Sequence, residues 1–231
     1  MRRNAAGFSM IELVVVVAAI VLLAAAVTPQ LFNWIDEGRA ARANNDATAV
    51  AAAMNRFFQD TTRWPGQVEI LSSGSTTRFL TVGDPESTPF PTLVGSIGIS
   101  SATCVSGLSG VTAKVTSFAA ATPSPANSID ITGFLSAPPL AADYPNWHGP
   151  YLQSEVLSDP WGSAFVINVI PLFCGETVTA SAPGGALGFG WILSGGPNQT
   201  LQTPFTQSRV TADSDDVGVS LSKRAVQAAA P

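Results

Sequence analysis

Asp213, Asp215 and Asp216 stand within four positions of one another in "TADSDDVGVS". Hard oxygen donors crowded in this way suit Ca²⁺, which gathers about six to eight oxygens, backbone carbonyls included. They do not form an EF-hand, because counting from Asp213 the fifth position is Val217 and the twelfth is Arg224. The same acids also read as a solvated acidic turn. A different carboxylate, Glu12 in "SMIELVVVV", opens a run from Leu13 to Val27 that has no polar side chain. An unpaired charge buried at such a position costs about a few kcal/mol or more, so Glu12 must be removed, find a partner or do a job.

Other chemistry is thin. The single histidine, His148, leaves no basis for a His-based catalytic dyad or a multi-histidine metal site, and it reads as a turn residue beside Trp147. Asp143 and Glu155 make no convincing carboxylate pair. Gly184-Gly185 and Gly195-Gly196 lack the downstream Lys or helix of a phosphate-binding loop. The expectation is therefore not an enzyme. A net charge of -5 argues against a nucleic-acid-binding surface.

The elements that carry these groups begin with the N-terminus, where three readings compete. Arg2 and Arg3, the Leu13 to Leu23 run and Ala24-Ala25-Ala26 would suit an ordinary secretory signal with a small-residue cleavage site. The basic start also fits a plain membrane anchor. Neither gains from Glu12. In the third reading the apolar helix is kept: Phe8 to Val27 is 20 residues, about 30 Å as a helix and the thickness of a bilayer core. Pro29 should then kink or locally melt that helix. Beyond it Leu31, Trp34, Ile35, Ala47, Val50, Ala51, Met54, Phe57 and Phe58 recur at helical spacing, the stripe of an amphipathic second half that packs on a sheet. The helix should stop near "QDTTRWPG".

The remainder reads as β and loop. "VTAKVTSF" (111 to 118), "AFVINVI" (164 to 170), "LGFGWIL" (187 to 193) and "VGVSL" (217 to 221) have the composition of strands. Without helical patterns between them an antiparallel meander is favoured. The expected fold class is α+β, one long helix packed on a small antiparallel sheet. Residues 29–62 are its amphipathic second half and 63–231 a β-rich head, in which about 69–143 is a long Ser/Thr/Pro-rich insert.

"AAGFSMIELVVVVAAIVLLAAAVTP" resembles the class III signal of type IV pilins and type II secretion pseudopilins, with Gly7, then Phe8, then Glu12 at the fifth mature position. The resemblance implies a leader over 1–7, cleavage between Gly7 and Phe8 by a prepilin peptidase, N-methylation of Phe8, and an assembly helix over 8–28. It also implies that Glu12 partners the N-terminal amine of a neighbouring subunit; an acid and an amine brought together in an apolar bundle are each less costly than either alone. "RWPG", "WHGPYL" with "SDPWGSAFVI", and "WILSGGPNQ" look like the matching segments of major pseudopilins, which hold Ca²⁺ in a C-terminal loop. Asp213, Asp215 and Asp216 are then favoured as donors over Asn198. The insert, which carries Cys104, is longer than a compact major pseudopilin needs. Export would put Cys104 and Cys174 where a disulfide can form, although spacing does not fix the pairing.

The function so implied is structural: a subunit that waits in the bacterial inner membrane with its head in the periplasm. It then stacks with copies of itself and other pilin-like chains under an inner-membrane assembly machinery. A surface pilus subunit and a membrane-anchored binding module are the alternatives.

Overall fold

The computed structural model describes residues 9–73, 79–83, 88–93, 102–105, 115–118, 128–152, 158–168, 172, 179–180, 190–203 and 214–221 of the chain. It divides into two compact units, Met1–Arg39 and Ala40–Pro231; the second is called the head below.

Helix α1 runs from Met10 to Thr61. Its part in the first unit exposes every large apolar side chain from Met10 to Ile35, and by length and composition it is able to cross a membrane. Local melting at Pro29 does not occur: the helix is continuous through it. Proline removes only the donor that would serve the Ala25 carbonyl, and one turn back the Thr28 hydroxyl bonds the Ala24 carbonyl at 2.7 Å. In an apolar segment the helical path remains the cheapest way to satisfy the other backbone groups.

Within the head, α1 buries Ala43, Ala47, Val50, Ala51, Ala53, Met54, Phe57 and Phe58, at the three- and four-residue spacing that makes one stripe. The helix stops as expected. Thr62 takes a left-handed backbone (φ 58°) and its N–H bonds the Phe58 carbonyl at 2.8 Å, and the Trp64 ring stacks on Phe58.

The short elements that follow are α2 (Gln67–Ser73), β1 (Phe79–Val82), β2 (Thr92–Leu93), β3 (Ala102–Val105), β4 (Val115–Phe118), β5 (Ser128–Asp130), α3 (Thr132–Ser136), β6 (Phe165–Asn168), β7 (Thr179–Ala180), β8 (Trp191–Ser194), β9 (Thr200–Leu201) and β10 (Val217–Ser220). A five-stranded sheet has the order β10-β8-β6-β1-β5. Strands β1, β6 and β8 are buried at every position and share one apolar cluster with the stripe of α1.

The α+β expectation holds, with one difference in the sheet. Its β10–β8, β8–β6 and β6–β1 pairs are antiparallel, but β5 joins β1 in parallel, Phe79 opposite Ser128, so the sheet is mixed. The connection from β1 to β5 is long enough for the crossover a parallel pair requires. Both strands come from the 69–143 segment, whose two ends therefore build the central sheet. A separate antiparallel sheet holds β4-β3-β7, and β2 pairs in parallel with β9. Helices α2 and α3 were also unexpected, since seven and five residues are too few to show a helical period.

Candidate functional site

Glu12 lies in the first turn of α1, exposed. Its Oε2 accepts the backbone N–H of Ser9 at 2.8 Å, and the Ser9 hydroxyl accepts the backbone N–H of Glu12 at 3.3 Å. This is a reciprocal capping box, which satisfies two N–H groups that a helix start otherwise leaves open. The positive end of the helix dipole favours the carboxylate there. Oε1 has no hydrogen-bond partner among the described residues, so it remains able to accept from a cationic amine while Oε2 holds the cap. The signal for Ser9 was in the sequence, as S-x-x-E ahead of an apolar run. Gly7 and Phe8 lie outside the described residues.

In the head, the motifs converge at two places. At the first, "SDPWGS", "GGPNQ" and the acidic segment meet. Asp159, almost fully buried, accepts from the backbone N–H groups of Trp161 (3.0 Å) and Ser163 (2.7 Å) and from the Ser194 hydroxyl at the end of β8 (2.5 Å). Ser194 in turn accepts the Gly196 N–H at 3.2 Å. Burial raises the Asp159 pKa above the ordinary value, against the lowering effect of those donors.

Gly196 is left-handed (φ 62°), and a Cβ there would stand 2.1 Å from the Asp215 carbonyl oxygen, so only glycine lets the turn close on the acidic segment. Asp215 accepts from the Asn198 backbone N–H (3.1 Å) and side-chain amide (2.6 Å). Asp216, buried, accepts from the backbone N–H groups of Gln202 (2.9 Å) and Thr203 (2.6 Å) through Oδ2. Its Oδ1 is buried with no hydrogen-bond partner, and burial is the chief cause that pushes its pKa up.

Of the expected calcium donors, Asp215 and Asp216 thus belong to one walled segment and Asp213 lies outside the described residues. Asn198 accepts the Thr200 N–H at 2.7 Å through its side-chain oxygen. Among the described residues no group of three His, Cys, Asp or Glu side chains is placed to hold a metal.

At the second place "WHGPYL" meets the end of α1. The Tyr151 hydroxyl donates to Asp60 at 2.7 Å and accepts the N–H of His148, which lies in irregular backbone just after the turn at 145–146, at 3.0 Å. The Tyr144 hydroxyl donates to Glu69 on α2 at 2.5 Å and accepts the Val68 N–H at 3.3 Å; burial, then Glu69 itself, drives its pKa far above the ordinary value. The Trp147 ring covers Gly149, where a Cβ would stand 2.4 Å from it. The contacts of Asp159, Ser194, Tyr144 and Tyr151 had no signal in the sequence, because each partner is distant along the chain. Of the expected disulfide, Cys104 is on β3 and Cys174 lies outside the described residues.

Comparison with known proteins agrees with the N-terminal geometry. Residues 2–28 match the family described as "Prokaryotic N-terminal methylation motif". Over 72 residues the chain is 38% identical to the type II secretion system core protein G of Pseudomonas aeruginosa, a match covering 31% of this chain and 51% of that protein. The chain thus spans about half the length of that curated relative. No solved structure matches. The likeness to the methylation motif thus falls on the apolar helix and its Ser9–Glu12 cap, and the likeness to the core protein G covers 72 residues of the chain.

Proposed function

We propose that this chain is a structural subunit of a type IV pilus-like filament, the pseudopilus of a type II secretion system. The observation that carries the reading is the first unit of α1. It is a membrane-length apolar helix whose large side chains from Met10 to Ile35 are all exposed, opening at a carboxylate that keeps one oxygen unengaged among the described residues. Such a surface needs lipid before assembly and other subunits after it. A prepilin peptidase would cut between Gly7 and Phe8 on the cytoplasmic face of the inner membrane. The new, N-methylated Phe8 amine would dock on Glu12 of a neighbour, and the head would stay in the periplasm.

The test is co-expression with a type II secretion assembly system, scoring cleavage, membrane retention and filament incorporation separately. A mature N-terminus at Phe8 by mass spectrometry, and a Glu12→Ala chain that is cleaved but stays in the membrane, are expected. A start at Val27 would restore the ordinary signal peptide, and normal incorporation of Glu12→Ala would sink the docking role.

Calcium belongs to the same reading. The unpartnered, buried Oδ1 of Asp216 is an acceptor without a donor, the state a hard cation relieves. Asp216, Asp215 and Asp213 would hold the ion and so tie β10 to the "GGPNQ" turn. The melting temperature should then rise with free Ca²⁺ and respond weakly to Mg²⁺, whose strict octahedral geometry fits a loop site poorly. A melting temperature indifferent to calcium and to chelator would return the cluster to a plain acidic turn.

A further inference from the structure

Because α1 passes through Pro29 unbroken, the apolar rod continues past the stretch that a bilayer core needs. After Thr28-Pro29-Gln30 come Leu31, Phe32, Trp34 and Ile35, exposed by 49%, 60%, 64% and 42%. Val27, Leu31, Trp34 and Ile35 follow i, i+4, i+7, i+8 and extend one face of the span, while Gln30, Asn33 and Glu37 form a separate polar line at the same height. Charges begin at once beyond, with Asp36 and Arg39 paired at 3.6 Å.

This mixture of large aromatic and polar side chains at one level is what the lipid headgroup zone selects, since an indole keeps its apolar body in the membrane and its N–H in contact with water. The length agrees. Glu12 and Trp34 are 22 residues apart, about 33 Å along a helix, close to the hydrocarbon thickness of a bilayer. Thr28, which lies inside that interval, has its hydroxyl already bonded to the Ala24 carbonyl. A second copy's helix would be a less fitting occupant. Close helix–helix contact in a membrane favours small residues, and from Gln30 to Glu37 there is none.

We propose that Phe32 and Trp34, with Leu31 and Ile35, form an anchoring belt that seats the unassembled subunit at the headgroup level of the bilayer face opposite Glu12, so that the span runs from Glu12 to Trp34 instead of ending at Val27. The inference rests on the membrane-anchored reading of the helix. It also places Glu12 at the other headgroup level, where a carboxylate costs little.

The test reconstitutes the full-length chain in phosphatidylcholine–phosphatidylglycerol vesicles whose acyl chains carry bromine either near the headgroups or near the bilayer centre. Trp34→Phe keeps the helix surface apolar and supplies the reference, because the other four tryptophans all belong to the head. The difference signal, one tryptophan of five, should be lost to the shallow bromines and largely survive the deep ones. Three results would overturn the belt while leaving the anchor standing in carbonate-washed vesicles. These are a difference signal insensitive to either lipid, one quenched best by the deep bromines, and one shielded from both lipid bromine and acrylamide, as a second copy's helix would shield it. A chain that fails to stay with the vesicles would remove the anchored reading and the belt together.

Discussion

Glu12 engages the Ser9 N–H through Oε2 and, among the described residues, leaves Oε1 open, so its cap and its charge can be separated by substitution. Glutamine can keep the capping box, since its carbonyl accepts the same N–H, but it offers no charge to an incoming amine. Alanine loses the charge and the bond to the Ser9 N–H, while the Ser9 hydroxyl still accepts the residue-12 N–H. Glu12→Gln and Glu12→Ala should therefore both be cleaved and both fail to enter filaments, with only Glu12→Ala fraying the helix start, as read by amide exchange in detergent. Incorporation of Glu12→Gln at the unsubstituted level would make the cap, not the charge, the assembly determinant. Asp216 offers a second separation. Burial raises its folded-state pKa above the ordinary 3.8, so the folded chain binds that proton more tightly than the unfolded one. The resulting stabilisation is complete below the ordinary value and is lost as pH rises through the raised folded value. In chelator at pH 7, Asp216→Asn should melt no lower than the unsubstituted chain, because it sheds the desolvated charge and keeps an oxygen for the Gln202 and Thr203 N–H groups. Near pH 4 any advantage should shrink. A variant that melts lower at pH 7 but equally at pH 4 would make the ionised carboxylate a net stabiliser.

Helix α1 ends on a residue ill suited to its backbone, since Thr62 is β-branched, exposed and left-handed. Relieving that conformation in Thr62→Gly should stabilise the head by about 1 kcal/mol, read as an upward shift in melting temperature. A fall would mean that the Thr62 hydroxyl bond to the Thr61 carbonyl outweighs the strain. The position of this helix end was legible because Trp64-Pro65-Gly66 punctuates the chain. So was the stripe from Ala47 to Phe58, a long element whose period is decided by burial. Strand β1 was not, because "FLTV" is buried on both faces and so lacks alternation; nor was the parallel partner it finds some 50 residues later. The same limit hid the clamps Tyr151–Asp60 and Tyr144–Glu69, which are contacts of tertiary structure with no local signature. Glu12 was legible in type and place, whereas its partner Ser9 was passed over although S-x-x-E is a local pattern. Cys104 lies on β3, which pairs antiparallel with β7 through Ala102 opposite Ala180, and its linkage to Cys174 stands as a proposal that follows from export. A disulfide closing so long a loop would add about 4 kcal/mol on the chain-entropy account. Peptide mapping without reductant should recover the two cysteines linked, and free alkylation of both would refute it.

The whole chain divides where its chemistry divides. The boundary falls at Arg39, and among the described residues of α1 the first buried side chain is Ala43. Among the described residues before it none is buried, while every buried side chain of α1 follows Ala40. Among the described residues, cutting the chain before Ala40 therefore removes no buried side chain, and it opens only the helical hydrogen bonds of the new first turn of α1. It also removes the exposed apolar face for which the full chain should need lipid, detergent or other subunits. The fragment Ala40–Pro231 should accordingly be monomeric in plain buffer and unfold in one cooperative transition, because its α1 stripe and its sheet belong to a single apolar cluster. Its melting temperature should match that of the full chain in mild detergent to within about 2–4 °C, the shift that about 1 kcal/mol produces in a domain of this size. It should also be absent from filaments when co-expressed with the intact chain, for want of both the helix and Glu12. Calorimetry and sedimentation of the fragment decide the first half, and a pull-down of assembled filaments decides the second. A fragment that aggregates or melts well below the full chain would mean that residues before Ala40 complete the head's core, and incorporation of the fragment into filaments would move the assembly surface from the helix to the head.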